Sequence, residues 1–183
     1  MLVSWRWLLD HLSASANIEE VRDDIRQLQG LAERQDSNAF LPVHGEDVSP
    51  DLGRRIRGYS RVAKEVVDRG VTEKWLDITG LRVTPQWYGY GRFFRFFGVQ
   101  GDFWIGVNYK NWAMYESTPL WLEVRGMDPK SLDRIGSALK VRVYDRWIPI
   151  HIKKGVEFHA VLDDVACQLK AVGRVIGAKI PDD

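Results

Sequence analysis

The chain has 183 residues, 45% of them hydrophobic and 28% charged, with a net charge of +1 at pH 7. That is enough apolar chain for one sizeable core, and it excludes both the disordered class and a uniformly basic nucleic-acid binder. A single cysteine, Cys167, excludes an intrachain disulfide and fits a reducing compartment.

The charge is unevenly spread. Residues 1–50 hold four Lys/Arg and nine Asp/Glu, a net of −5, whereas residues 51–100 hold ten and five, a net of +5. This permits an anion-binding middle section, or acidic leading helices lying against a basic one. Met1 to Val3 reads as the tail of a strand whose partners lie elsewhere. Ser4 then caps a helix with Trp5, Leu8, Leu9 and Leu12 on one side. Arg6, Asp10 and His11 interrupt the apolar run that a signal peptide would need before Ala14 to Ala16, and no window approaches a membrane span. A cytoplasmic protein without a membrane partner is the expectation. Asn17 caps a stronger helix to about Arg34, with Ile18, Val21, Ile25, Leu28 and Ala32 at three-four spacing. Gln35 to Pro50 reads as loop. Leu52, Ile56, Tyr59, Ala63 and Val66 restore the helical period until Gly70 ends it, and Val71 to Trp75 adds a further turn.

After Gly91 the period falls to two. Arg92 to Val99 and Phe103 to Lys110 form a strand pair around GVQGD. A short helix follows at Asn111 to Ser117, a third strand at Pro119 to Arg125 and a helix at Asp128 to Leu139. Val141 to Asp145 and Trp147 to Lys153 form a further strand pair. The last helix, Glu157 to Ile176, aligns Phe158, Leu162, Val165, Leu169, Val172 and Ile176 in one stripe. The order predicts an α+β fold with N-terminal helices, a mainly antiparallel sheet of about five strands and a C-terminal amphipathic helix packed on it. The regions are 1–80, helical, and 81–183, α+β, together forming one compact domain.

Thirteen of the 21 aromatic residues fall between Trp87 and Trp121. Period two divides the strands into a greasy face (Phe103, Ile105, Val107, Tyr109, Leu120, Leu122, Val124, Val141, Val143, Ile148, Ile150, Ile152) and a mixed one holding Trp104, Gly106, Asn108, Trp121, Glu123, Arg125, Arg142, Tyr144, Trp147 and His151. Rings beside cations suit stacking and phosphate contacts. The alternative is burial of this face under the N-terminal helices, which the large apolar patch otherwise left exposed favours. The segment TPQWYGYGR, with Trp87, Tyr90, Arg92 and nearby Arg95, offers a second place for a ligand, or an aromatic connection tucked against the sheet.

No catalytic pattern is specific. His159, Asp163 and Cys167 share a helix face but are too few for a closed zinc site. Asp102, Glu123 and Arg125 imitate the order of a Mg²⁺-dependent nuclease core, with an arginine where a lysine belongs; a cross-strand charge pair accounts for them as well. No cofactor is expected.

The stretches VSWRWLLDHL, LRVTPQWYGYGRFF, FWIGVNYKNWAMYESTPLWLEV and YDRWIPIHIKKGVEFHAVLDDVACQL carry a resemblance. Together they resemble the C-terminal half of uncharacterised bacterial proteins with an upstream restriction-endonuclease-like domain. That resemblance implies no catalytic residue here, because the nuclease motif would precede Met1, and it implies a shortened form of a longer chain. The expected function is a non-catalytic accessory or recognition module binding nucleic acid or a nuclease domain, through Trp87, Tyr90, Arg92, Arg95, Trp104, Trp121 and Arg125. The alternatives are a structural homodimer and a degenerate Mg²⁺-dependent nuclease.

Overall fold

A computed structural model of the chain describes residues 27–28, 43–83, 86–115 and 118–181. The chain divides into two compact units, 1–45 and 46–183. The expected strand tail at Met1 and the helix after Ser4 lie outside the described residues. So does the helix from Asn17 to Arg34, except Gln27 and Leu28, which are helical.

A 3₁₀ turn at Gly45–Val48 leads into α1, Pro50–Thr72, of the second unit. Ser49 caps it, accepting from the Leu52 N–H at 3.3 Å, and Pro50 stands at the first turn, where no N–H is needed. Gly70 does not end this helix. It is buried, and a Cβ there would come within 2.5 Å of the Leu76 side chain, so glycine lets the next segment pack directly on α1. The chain reverses instead at Lys74, whose φ of 62° is left-handed.

The sheet has five antiparallel strands in sequence order: β1 Leu76–Asp77, β2 Gly89–Phe96, β3 Phe103–Asn108, β4 Leu120–Val124 and β5 Trp147–Ile150. α2 (Tyr109–Met114) and α3 (Pro129–Leu139) join β3 to β4 and β4 to β5, and α4 (Phe158–Val175) follows the sheet. The number of strands agrees with the sequence reading, but their membership differs. Leu76 and Asp77, expected beyond a helical turn, pair with Phe96 and Arg95. Val141 to Asp145 is not a strand. Lys140 takes a left-handed φ of 56°, the Val141 N–H bonds back to the Gly136 carbonyl at 2.9 Å, and Val143 lies against Gly136, so this segment folds onto the end of α3.

One face of the sheet carries Phe94, Phe96, Phe103, Ile105, Val107, Leu120, Leu122, Val124, Ile148 and Ile150, all buried. Val62, Ala63, Val66 and Val67 of α1, Ile135 of α3 and the Val161–Val172 stripe of α4 complete that core. The greasy face expected from period two is therefore the core face for the residues of β3 to β5, whereas Tyr109 opens α2 and is exposed, and Val141, Val143 and Ile152 are only partly buried outside the strands. α1, one of the N-terminal helices expected on the mixed face, packs on this opposite side and belongs with the sheet.

Candidate functional site

On the second face the register sets Phe93, Trp104, Glu123 and Trp147 in one row across β2 to β5, with Gly91, Gly106, Trp121 and Pro149 in the next. The two adjacent glycines leave a bare floor. A Cβ on Gly91 would lie 2.5 Å from the Trp104 ring and one on Gly106 2.6 Å, so the indole lies flat where those side chains would stand.

Tyr88 closes this face from the turn Gln86–Gly89, held by the Gly89 N–H donating to the Gln86 carbonyl at 3.1 Å. Its ring meets Trp104 edge-on at 5.9 Å and Trp147 at 5.5 Å, while Tyr115 and Tyr144 stack at 4.5 Å and flank Trp121. Trp104 and Trp121 are consequently buried. Neither can stack on a ligand, which removes both from the expected contact set. Rings of the sheet's own turns and loops do this sealing, and no helix does so among the described residues.

Glu123 is the hub of this layer and is fully buried. Arg125 donates to its Oε2 at 2.8 Å, and the Arg146 Nε lies 2.8 Å from Oε1, off the N–H direction, so that oxygen has a charge partner without an aligned hydrogen bond. The Glu123 hydrogen bond raises the Arg125 pKa further. Burial, with the Glu123 charge beside it, pushes the Tyr88 phenol up. Arg125 also lies over the Phe93 ring at 5.3 Å. Its guanidinium is thus committed to Glu123 and Phe93, although the side chain stays half-exposed. Asp102 is turned to Arg95, at 2.7 Å from its Nε, so the two carboxylates of the nuclease-like order each face guanidinium groups. Arg95 is taken up with it and with the Thr79 carbonyl at 3.2 Å. Among the described residues no group of three or more His, Cys, Asp or Glu could hold a metal ion. Asp163 pairs with Arg69 of α1, which breaks up the His159, Asp163, Cys167 set.

The remaining residues lead to a different place. Tyr90 alternates with Gly89 and Gly91, so its ring points to the α1 side and is 43% exposed. There it lines an open groove of about 410 Å³ with Arg57, Ser60, Arg61 and Lys64 of α1. The cations recur at the first, fifth and eighth positions, one face of a helix whose opposite side is Val62, Val66 and Val67. Arg61 shares Glu65 at 2.6 Å and Lys64 shares Asp68 at 2.5 Å, both well exposed to solvent, while Arg57 makes no ion pair among the described residues. Arg92 sits deeper, 3.7 Å from Asp68. Trp87, at the tip of the Gln86–Gly89 turn, is 83% exposed, with the Lys110 ammonium 5.9 Å from its ring.

Of the seven expected residues, Trp87 and Tyr90 are exposed, Arg92 lies at the base of the α1 side, Trp104 and Trp121 are buried, and Arg95 and Arg125 pair with Asp102 and Glu123 while their side chains stay 39% and 47% exposed. The sequence reading missed Arg57, Arg61 and Lys64. Their spacing on a helix with a known core stripe was the signal. No family model, curated protein or solved structure matches this chain. No helix among the described residues is long and apolar enough to cross a membrane.

Proposed function

We propose that residues 46–183 form a non-catalytic recognition module that binds nucleic acid, acting beside a nuclease-type partner in defence or repair. The observation that carries this reading is the groove in which Arg57, Arg61 and Lys64 surround the exposed ring of Tyr90. A row of cations on one helix face matches a phosphate backbone, and the ring supplies a surface for a base. The carboxylates already sharing Arg61 and Lys64 are weak competitors, since exposed pairs at this helical spacing are worth only about 0.3–0.5 kcal/mol each. The nuclease-type setting draws on the resemblance of the sequence stretches alone.

Fluorescence anisotropy with labelled oligonucleotides tests the reading. Three phosphate contacts imply an affinity loss of roughly 20- to 40-fold between about 50 and 200 mM salt. Replacing Arg57, Arg61 and Lys64 together by Gln is expected to weaken binding and flatten that salt dependence. A folded protein that binds nothing at low salt, or a triple variant with unchanged affinity, rejects the proposal.

The exposed rings of Trp87, Tyr109 and Tyr115 favour, as a second reading, self-association of the module. Light scattering that gives a monomer at high concentration removes it.

A further inference from the structure

The groove mixes two chemistries that only one form of nucleic acid uses together. Cations answer to phosphate in any strand, but a ring set among them gains little from a duplex, whose bases are already stacked on one another. An unpaired strand has free base faces, and every base offers one. Tyr90 is suited to meet them. The glycines on either side carry no side chain, and β1 pairs with β2 at Phe96 and Arg95, so at Tyr90 β2 has no strand beside it on that edge among the described residues.

Trp87 repeats the pairing independently. An indole that is 83% exposed contributes nothing to the core, yet it is not loosely held. Its ring stands edge-on to Tyr88 at 5.5 Å, and Tyr88 is itself wedged against Trp104 and Trp147. The tight turn restricts the backbone beneath it, and Lys110 provides the neighbouring positive charge. A surface ring braced by a half-buried one loses little rotamer freedom when it takes a ligand.

We propose that the module takes an unpaired strand, with phosphates along Arg57, Arg61 and Lys64, a base stacked on Tyr90 in the groove, and a further base on Trp87 at the separate turn beside Lys110. This rests on the polyanion reading of the groove and adds the class of nucleic acid to it. Ser60 and the open backbone edge of β2 supply hydrogen-bonding groups without a fixed donor and acceptor code, so tolerance of sequence is part of the same inference.

The test compares a labelled oligothymidylate with a duplex of the same length, in the wild-type chain and in the Tyr90→Ala and Trp87→Ala variants. Both side chains are accessible, so unchanged thermal midpoints are expected and serve as the folding control. Each variant should weaken oligothymidylate binding by roughly 5- to 150-fold, the loss of one stacked base, with the salt dependence unchanged and duplex binding unaffected. Tryptophan emission should fall on binding, and less so in Trp87→Phe. Salt-dependent binding in which duplex equals or exceeds the unpaired strand, with both Ala variants silent, overturns the stacking inference while the polyanion reading stands. Absence of salt-dependent binding to either form brings down both.

Discussion

Glu123 gives the most exacting test of how the second face is held together. The carboxylate is 0% exposed, whereas its partners Arg125 and Arg146 have side chains 47% and 53% exposed. The pair is therefore lopsided. Replacing both arginines with Met, which keeps their stems over Phe93 and Trp147, strands a buried charge and is expected to cost about 3–5 kcal/mol. Glu123→Leu leaves two guanidinium groups that can turn to water. Its cost should be only about 1–2 kcal/mol, set by the lost half-exposed ion pairs. Combining all three replacements removes the charges together and should return stability to within about 1 kcal/mol of wild type. Urea unfolding read by tryptophan fluorescence measures all four proteins. A difference of about 2 kcal/mol also separates the melting midpoints by roughly 4–8 °C in a chain of this size. A Glu123→Leu variant less stable than the double Met variant, or a triple variant as unstable as the double, refutes the argument that burial of the carboxylate sets the order.

Two further outcomes follow from the packing. Gly106→Ala is expected to destabilise by at least about 1–3 kcal/mol, because its Cβ would lie 2.4 Å from the Tyr90 carbonyl oxygen as well as against Trp104. Shrinking the indole with Trp104→Leu should not rescue it in a double-variant unfolding series, since backbone cannot retreat. The second concerns acid. Glu73 accepts from Arg69 at 2.7 Å and from the Trp75 indole at 2.8 Å, with Lys170 of α4 at 3.5 Å. The Arg69 bond above all holds its carboxyl below the ordinary 4.5. A carboxyl lowered by folding adds stability that is complete above its unfolded value and lost as pH falls through the folded one. The stability gap between wild type and Glu73→Gln, followed by melting midpoint against pH, should thus be constant above about pH 5 and close as the pH falls below 4.5. A gap that widens in acid contradicts that sign.

Local pattern made much of this fold legible. Tyr59, Ala63 and Val66 at helical spacing, and Phe103, Ile105 and Val107 at period two, mark their elements because the periods of helix and strand are properties of the backbone itself. The same alternation identified the core face. It failed where an element is too short to repeat its period, as at the two residues Leu76–Asp77. It also failed where β-branched residues serve another partner, as at Val141 and Val143 against the end of α3. Three-dimensional packing alone decided the fate of the aromatic face. Trp104 and Trp121 alternate as display residues would, and nothing in their spacing records that Tyr88 and Trp147 close over the first and Tyr115 and Tyr144 over the second. Charge was legible in kind but not in allegiance: Arg95, Arg125 and Arg57 look alike in the chain, and only folding sets the first two beside Asp102 and Glu123 and leaves Arg57 without an ion pair among the described residues.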